Sequence, residues 1–496
     1  MKVVVALNFF FLLVAFLLPN PSLAQNTSNQ ISFPPTPSVV YDDLEAMPQG
    51  PRISKASAAV SHNEALPYVY RAPQQPLDVA GYPVAPKEMQ LEQVHVYVRH
   101  GERTPVGIRL APFIPEHWIM CKTGRKFRSP VVGRAEEPGT NLRSRRIVER
   151  KDGVSTEGLC LLGELSDIGR QSTVNYGAAL RSLYVDRLGF LPEYLHKREE
   201  VYFRSTNMPR TIESLEQVIH GLYPTSKCNA SALPNLLLRN GRDENLLGNT
   251  MSCKRLEYLQ IGFAQAAAAA YNQTLEPLDK YISKYLDGRP IRIDGKPRAS
   301  GVMDTIRAAI AHGIKVPSEF EDKTIVDVIE HAVVNEWFAG YKTQEVRRLG
   351  MGPLLADLSQ KMQQKVDRGV EDPLKILVHS THDTALAALC STLDVFDEKW
   401  PAFTASITFE LFKKSQAADK RSYLQTILSP FTAPTSPEYY VRMRYQNRNL
   451  PLPVCAEEGK HLPGSPEFCT LAAFRQRVKE LTPIDWDTEC ASTGWS

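Results

Sequence analysis

The sequence Val94-His-Val-Tyr-Val-Arg-His-Gly-Glu-Arg-Thr-Pro105 passes from an apolar, β-branched segment directly into a group of charged residues. Its first five residues are short and apolar enough to be buried on both faces, which is typical of a central strand in an α/β sheet. Arg99, His100 and Arg103 would then lie at the carboxyl end of that strand, where open α/β sheets bind ligands. The stretch therefore predicts both an α/β fold and the position of a ligand site.

Two further segments repeat this order of apolar strand, charged loop and helix. Val201-Tyr-Phe203 is followed by Arg204-Ser-Thr206 and a helical pattern. Ile376-Leu-Val378 is followed by His379-Ser-Thr-His-Asp383 and a second helical pattern. Because the carboxyl ends of parallel strands meet at one edge of a sheet, the three loops are expected to share one crevice. We therefore predict a central, mostly parallel sheet flanked by helices.

The rest of the chain suggests four parts. Residues 1–24 contain a lysine, an apolar run and Ser22-Leu-Ala24, which together predict a cleaved secretory signal. A membrane anchor is disfavoured because the apolar run is shorter than the ~20 residues that cross a bilayer. Residues 25–88 are rich in proline, serine and asparagine and predict an extended arm. Helical patterns dominate 224–368, so we expect an inserted α-helical cap lobe, with 89–223 and 369–496 forming the α/β domain.

Composition narrows the class of partner and the compartment. The 496 residues contain 58 Lys and Arg against 55 Asp and Glu, a formal net charge of +3, so we predict no nucleic-acid partner. No segment after the signal approaches the length of a membrane span, and we predict no stable membrane insertion once the signal is cleaved. The expected location is therefore outside the cell or in a lysosomal or vacuolar lumen.

The eight cysteines are scattered and contain no Cys-x-x-Cys spacing. This pattern favours disulfides, up to four of them, over zinc binding or thiol redox chemistry in a chain that follows the oxidising secretory route. Asn26, Asn229 and Asn272 each begin an Asn-x-Ser/Thr triplet and are predicted glycosylation sites.

The three loops would bring three arginines, two histidines and one carboxylate together: Arg99, Arg103, Arg204, His100, His382 and Asp383. Guanidinium groups stay charged and match phosphate oxygens, so three of them at one point predict a site for a phosphoryl group. His100 is the candidate nucleophile, because neighbouring arginines favour its neutral form. Asp383 is the candidate general acid and later the base for water, which predicts an acidic optimum.

No metal or other cofactor is expected. His379-x-x-His-Asp383 has the residue types of part of a metal site, but the arginines would repel a cation. We interpret Glu102 as a loop charge and His95, inside the strand, as structural. Trp118 is a candidate for lining the pocket.

The motifs Arg99-His-Gly-Glu-Arg-Thr-Pro105 and Thr381-His-Asp-Thr384 resemble those of the histidine acid phosphatases, branch 2 of the histidine phosphatase superfamily. The resemblance extends from about residue 90 to the C-terminal part of the chain and is greatest with animal and fungal secreted or lysosomal acid phosphatases. It implies a phosphoglycerate-mutase-like fold and phosphorylation of His100, with Asp383 as the proton donor. The phosphate ligands that it implies are Arg99, Arg103, Arg204 and His382.

The same resemblance implies the disulfides Cys455–Cys469 and Cys253–Cys490. The other four cysteines then allow three pairings, which the sequence does not rank; they are Cys121, Cys160, Cys228 and Cys390.

The substrate stays open at this point. Residues 122–151 hold ten Lys or Arg against three Glu. They form either a solvated surface loop or a basic border that attracts a polyanion, such as an inositol polyphosphate or a phosphorylated glycan. A phosphoglycerate-mutase-like phosphotransferase fits the signal sequence poorly, and an inactive binding protein fits the presence of His100 and Asp383 poorly. We therefore predict a metal-independent hydrolase of phosphate monoesters.

Overall fold

A computed structural model describes residues 76–130, 141–415 and 438–491 of the chain. The predicted signal sequence, Asn26 and most of the predicted arm lie outside these residues. Within them no helix is both long and apolar enough to cross a membrane.

The strands are β1 (Met89–Arg99), β2 (Lys126–Pro130), β3 (Asn141–Arg145), β4 (Val201–Ser205), β5 (Leu236–Leu238), β6 (Ile376–Thr381), β7 (Ser406–Lys414), β8 (Tyr439–Tyr445), β9 (Arg448–Asn449), β10 (His461–Leu462) and β11 (Ser465–Thr470). The longer helices are α1 (Asp167–Arg181), α2 (Pro209–Leu222), α3 (Lys254–Leu275), α4 (Asp279–Ile282), α5 (Ala299–Ala311), α6 (Lys323–Phe338), α7 (Gln344–Gly350), α8 (Gly352–Arg368), α9 (Asp383–Thr392), α10 (Leu471–Leu481) and α11 (Trp486–Cys490).

Strand β1 lies inside the main sheet, whose order is β10-β11-β8-β7-β1-β6-β4-β5, with β9 paired to β8. The neighbours β1, β6, β4 and β5 are parallel. On the other side of β1, strands β7, β8 and β11 pair antiparallel. The three strands predicted from the sequence are therefore adjacent in the parallel part of the sheet, and the predicted α/β fold is confirmed.

The parallel strands are buried on both faces because their side chains alternate between two apolar layers. Val94, Val96 and Val98 of β1 pack in one cluster with buried side chains of α1 and α2. Tyr97 points the other way and packs in a second cluster that includes apolar residues of α8 and α9. This two-sided burial explains why each strand appears in the sequence as a continuous apolar run.

The region 224–368 contains α3 to α8 and the short strand β5. Helices α3, α5 and α6 share an apolar cluster with the segment 110–118, whereas α7 and α8 pack in the cluster that covers one face of the sheet. The division into a cap lobe and an α/β domain stays a proposal.

All eight cysteines lie in the described residues. Three disulfides are formed: Cys253–Cys490 and Cys455–Cys469, in agreement with the resemblance, and Cys121–Cys160. Cys228 and Cys390 are free, so three of the up to four expected disulfides are formed. Cys390 belongs to the cluster on the α9 face of the sheet and Cys228 packs against the cluster on the α1 face, so the sheet separates the two thiols.

The described end of the predicted arm, residues 76–88, is anchored to the sheet. Tyr82 is buried, and its hydroxyl donates to Oε1 of Glu410 on β7 at 2.8 Å. Arg442 of β8 donates to the Tyr82 hydroxyl at 2.6 Å and to the Pro83 carbonyl at 2.7 Å. Since buried charges are stable only when paired and hydrogen-bonded, this contact fixes the chain just before β1.

Candidate active site

His100 lies at the carboxyl end of β1 and is 2% exposed. Its backbone N–H donates to the Thr381 carbonyl at 3.0 Å, which ties the loop after β1 to the end of β6. Its Nδ1 lies 2.8 Å from the Gly101 carbonyl oxygen. Because a carbonyl only accepts, Nδ1 carries the proton and Nε2 keeps its lone pair. The imidazole is therefore held in the tautomer that a nucleophile requires.

The surroundings of His100 favour its neutral form. Burial lowers its pKa well below 6.5, and the charges of Arg210, Arg99 and Arg103 lower it further. A neutral imidazole in a positively charged site keeps its nucleophilic nitrogen in acid, where a free histidine would be protonated.

Gly101 lets the nucleophile loop lie directly on α1. A Cβ at position 101 would be 2.3 Å from the Gly169 carbonyl oxygen, and a Cβ at position 169 would be 2.1 Å from the Glu102 carbonyl oxygen. Glu102, interpreted from the sequence as a loop charge, lies in this loop and is buried, with 1% exposure. Its carboxylate accepts a hydrogen bond from the Ser172 hydroxyl, and burial raises its pKa.

Arg99 and Arg103 lie on either side of His100 in the sequence, and both are buried. Nη2 of Arg99 pairs with Oδ2 of Asp383 at 2.6 Å, and its guanidinium lies 4.0 Å from the centre of the Phe403 ring. Nη2 of Arg103 pairs with Oδ1 of Asp304 on α5 at 2.8 Å. Each guanidinium is thus held by one carboxylate and keeps further N–H groups for another ligand.

Arg204 does not take the position predicted for it. Its Nη2 donates to Oε1 of Glu244 at 2.7 Å, and its Nη1 lies 3.7 Å from Oδ2 of Asp357 on α8. Within the sheet, Arg204 pairs in register with His379. The side chain therefore belongs to the α8 face of the sheet, and the assignment of Arg204 as the third phosphate ligand is corrected.

Arg210, in the first turn of α2, is the third arginine beside His100. Its charge is the largest electrostatic contribution to the lowered pKa of both His100 and His382. Burial, together with Arg103, lowers its own pKa to about 9, and its Nε is buried without a hydrogen-bond partner. The predictions missed this residue, although Pro209 at the start of a helix marked a turn that faces the crevice.

His382 and Asp383 stand where the sequence predicted them, at the junction of β6 and α9. The ring centroids of His382 and His100 are 5.7 Å apart, and Nε2 of His382 lies 3.0 Å from the Thr206 hydroxyl oxygen. Oδ1 of Asp383 accepts the Thr384 N–H at 2.8 Å. The end of β6 therefore brings both residues to the site of His100.

The pKa of Asp383 reflects opposing effects. Burial raises it, but Arg99, Arg103 and the indole N–H of Trp400 outweigh burial and hold it below 3.8. With its partners in place, Asp383 is an anion over most of the acid range. Trp400, whose Nε1 donates to Oδ2 of Asp383 at 2.9 Å, was not predicted from the sequence.

The profile of the histidine phosphatase superfamily, branch 2, matches residues 90–446. The chain belongs to this family. A Schizosaccharomyces pombe protein designated "Probable acid phosphatase" is 35% identical over 442 residues, which cover 82% of this chain and 95% of that protein. Human testicular acid phosphatase is 28% identical and covers 66% of this chain and 73% of its own length. The predicted family, and with it an enzyme of the histidine acid phosphatase class, is confirmed.

Solved structures of the same fold include bacterial phytases. Apo phytase from Hafnia alvei aligns with a TM-score of 0.52 at 16% identity and covers 82% of this chain and 99% of its own. Phytase from Citrobacter braakii aligns with a TM-score of 0.51 at 15% identity, over 82% of this chain and 100% of its own. At this identity the likeness concerns the fold alone.

The lining of a groove in this histidine phosphatase includes Thr104, directly after Arg103. Most of its lining is apolar, and the charged side chains in it are those of Arg109 and Glu116. Trp118, the predicted candidate, lines it. Within the described residues, no cluster of three His, Cys, Asp or Glu has the arrangement of a metal site.

Proposed function

We propose that the protein hydrolyses phosphate monoesters, without a metal or other cofactor, through a phosphohistidine on His100. The observation that carries the proposal is the state of this side chain: it is buried and neutral, its Nδ1 bonds to the Gly101 carbonyl, and three arginines act on it. A neutral nucleophile surrounded by fixed positive charge suits attack on a phosphoryl group, whose equatorial oxygens carry the developing charge.

In the first step Nε2 of His100 attacks phosphorus, the bond between phosphorus and the leaving oxygen breaks, and Asp383 gives that oxygen a proton. In the second step the Asp383 carboxylate takes a proton from water, which attacks the phosphohistidine, and the P–N bond breaks to release inorganic phosphate. The proposed phosphate ligands are Arg99, Arg103, Arg210 and His382. The bond from Nδ1 to Gly101 supports the positive charge that forms on the ring.

The first step requires a protonated Asp383, which the free site disfavours. A phosphate group that draws Arg99 toward itself weakens the ion pair that keeps Asp383 charged, so the pKa of Asp383 rises in the complex. The negative charge of the substrate therefore favours protonation of Asp383, which then donates this proton to the leaving oxygen. Activity should be greatest in acid and fall as Asp383 loses its proton.

For the substrate, we favour small phosphomonoesters over polyanions. Among the described basic residues of 122–151, Arg125, Arg145 and Arg150 form ion pairs with nearby carboxylates. No described residue of this segment lines the groove. A polyanionic substrate is the second candidate, because the whole segment carries seven more positive than negative charges. The ratio of phytate to aryl phosphate turnover, measured before and after the basic residues are replaced by serine, separates the two.

Entry into the secretory pathway and glycosylation are part of the same proposal. Asn229 is exposed, and its Nδ2 makes one long contact, 3.3 Å from Nδ1 of His196. The Asn272 amide is already engaged, since its Nδ2 donates to Asp294 at 2.8 Å and its Oδ1 accepts the Ile293 N–H at 2.9 Å. We therefore expect Asn229 to be modified in preference to Asn272, which peptide mapping before and after removal of N-glycans tests.

The direct test is hydrolysis of an aryl phosphate between about pH 3 and 8 by the wild type and by His100→Ala, with and without chelator. Chelator-resistant activity that is greatest in acid and lost in the variant supports the proposal. Activity that survives in His100→Ala, or that needs an added metal, overturns it.

A further inference from the structure

Among the described residues, three groups donate hydrogen bonds to the Asp383 carboxylate, and Trp400 is one of them. Its indole Nε1 donates to Oδ2 at 2.9 Å. Arg99 donates to the same oxygen from Nη2 at 2.6 Å, and the Thr384 N–H donates to Oδ1 at 2.8 Å. Oδ2 is therefore shared between a charged donor and a neutral one.

The indole is held in place by the helices opposite the sheet. The Trp400 N–H donates to Oε1 of Glu330 on α6 at 2.8 Å, and its carbonyl accepts Nη2 of Arg307 on α5 at 3.3 Å. Arg307 and Glu330 pair with each other at 3.0 Å, and the Glu330 side chain is 1% exposed. The Trp400 ring also packs edge-to-face on Trp337, with 5.9 Å between ring centroids. Arg99 also holds the neighbouring residue, since its Nη1 donates to the Pro401 carbonyl at 2.7 Å. The contacts of Trp400 with Glu330, Arg307 and Trp337 do not involve Arg99, so they hold the indole when Arg99 moves.

The two donors to Oδ2 differ in what a substrate does to them. Arg99 is a proposed phosphate ligand, and a phosphate dianion competes with Asp383 for its N–H groups. The indole N–H is neutral and has no comparable attraction to phosphate. When substrate binds, Oδ2 keeps its hydrogen bond from the Trp400 indole and loses part or all of its bond to Arg99.

We propose that Trp400 is a positioning residue, which holds the Asp383 carboxyl at the leaving group while a bound phosphate draws Arg99 away. This inference rests on the proposed role of Asp383 as general acid. A carboxyl without this anchor is free to rotate about its side-chain bonds, and proton transfer requires it within hydrogen-bond reach of the leaving oxygen.

The charged groups around Asp383 are Arg99 at the end of β1, Arg103 from the loop after it and Arg210 from α2. The preceding His382 is titratable, but burial lowers its pKa to about 3. All four remain when Trp400 is replaced by Phe. The lost N–H stabilised the ionised carboxylate, so its removal favours the protonated acid. In Trp400→Phe the alkaline limb of the pH–rate profile should therefore move up by about one pH unit.

The experiment compares Trp400→Phe with Trp337→Phe, a control that alters the same ring stack without touching Asp383. Alkyl phosphates need a proton on the departing oxygen, whereas a nitrophenyl phosphate needs it far less. For Trp400→Phe we expect kcat/KM to fall about tenfold on the alkyl substrate and less than about twofold on the aryl one. Trp337→Phe should resemble the wild type on both. Equal losses on both substrates, or an unshifted pH limb, would overturn the inference.

Asp383→Ala separates this inference from the proposed function. If Trp400 acts through Asp383, adding Trp400→Phe to Asp383→Ala leaves aryl phosphate hydrolysis unchanged, and a further loss contradicts the inference. If Asp383→Ala hydrolyses alkyl phosphates like the wild type, the proposed role of Asp383 itself fails. If Asp383→Ala is inactive on alkyl phosphates while Trp400→Phe hydrolyses them like the wild type, the role of Asp383 stands and only the inference about Trp400 fails. Thermal unfolding of each variant shows whether it is folded.

Discussion

Arg210 and Arg204 should respond to substitution in opposite ways, although they stand six positions apart in one segment of sequence. Replacing Arg210 with Gln removes a guanidinium that acts on both His100 and His382. A charge-assisted hydrogen bond to phosphate contributes about 1.5–3 kcal/mol, so kcat/KM should fall about 10- to 100-fold. The folded state should not suffer, because the substitution relieves repulsion between Arg210 and Arg103.

Replacing Arg204 with Gln should instead destabilise the fold. The Glu244 side chain is fully buried and accepts from Arg204 at 2.7 Å. An uncompensated buried carboxylate costs about 3–5 kcal/mol, which lowers the midpoint of urea unfolding substantially. The double variant Arg204→Gln with Glu244→Gln should recover part of that stability, since it leaves no buried charge unpaired.

The assay measures kcat/KM on an aryl phosphate and urea unfolding for all three variants. The reasoning fails if Arg204→Gln is stable and loses activity as Arg210→Gln is expected to do. It also fails if Arg210→Gln keeps the activity of the wild type.

Two further predictions concern Gly101, in the loop after β1, and the buried His95. Gly101→Ala should lower kcat more than about tenfold and the free energy of unfolding by about 2 kcal/mol. The reason is that the new Cβ meets the Gly169 carbonyl and forces the loop off α1. If the variant has the kinetics and the unfolding free energy of the wild type, this contact is contradicted. Burial lowers the pKa of His95 to about 3, so between pH 6.5 and about 3 the unfolded chain binds a proton that the native state does not, and stability falls with acidification. His95→Gln should lose less stability than the wild type between about pH 6.5 and 4, and identical losses in urea unfolding would refute this.

The sequence predicted the parallel half of the sheet well and the antiparallel half poorly. Strands β1, β4 and β6 are apolar runs buried on both faces, and each ends in a charged loop that marks its position. Strand β8 is different, because Arg442 and Arg444 within it are 1% exposed. From a hydrophobic pattern, arginine residues are predicted to be exposed. Here they are buried because Glu410 pairs with Arg442 and the Tyr82 ring lies 4.6 Å from the Arg444 guanidinium.

The site was predictable where side chains follow directly on strand ends. His100, His382 and Asp383 are of this kind, and Arg99 is the last residue of β1, paired in register with Thr381 at the end of β6. Arg204 also stands near a strand end, but it lies inside β4, so the alternation of the strand directs its side chain to the α8 face.

The missed residues reach the site through tertiary structure. Arg210 does so from a helix, and Trp400 from a loop seventeen positions after Asp383. Neither belongs to one of the strand-end loops, so proximity in the sequence to a strand could not select them.

The central claim is that a phosphoryl group passes through His100. The measurement is rapid acid-free quenching of the enzyme with an aryl phosphate, followed by peptide mass spectrometry of the wild type and Asp383→Asn. We expect a phosphorylated peptide that contains His100, and more of it in Asp383→Asn, because this variant lacks the base that activates water for the second step. Phosphate on another residue, or turnover with no phosphorylated peptide in either protein, would contradict the account.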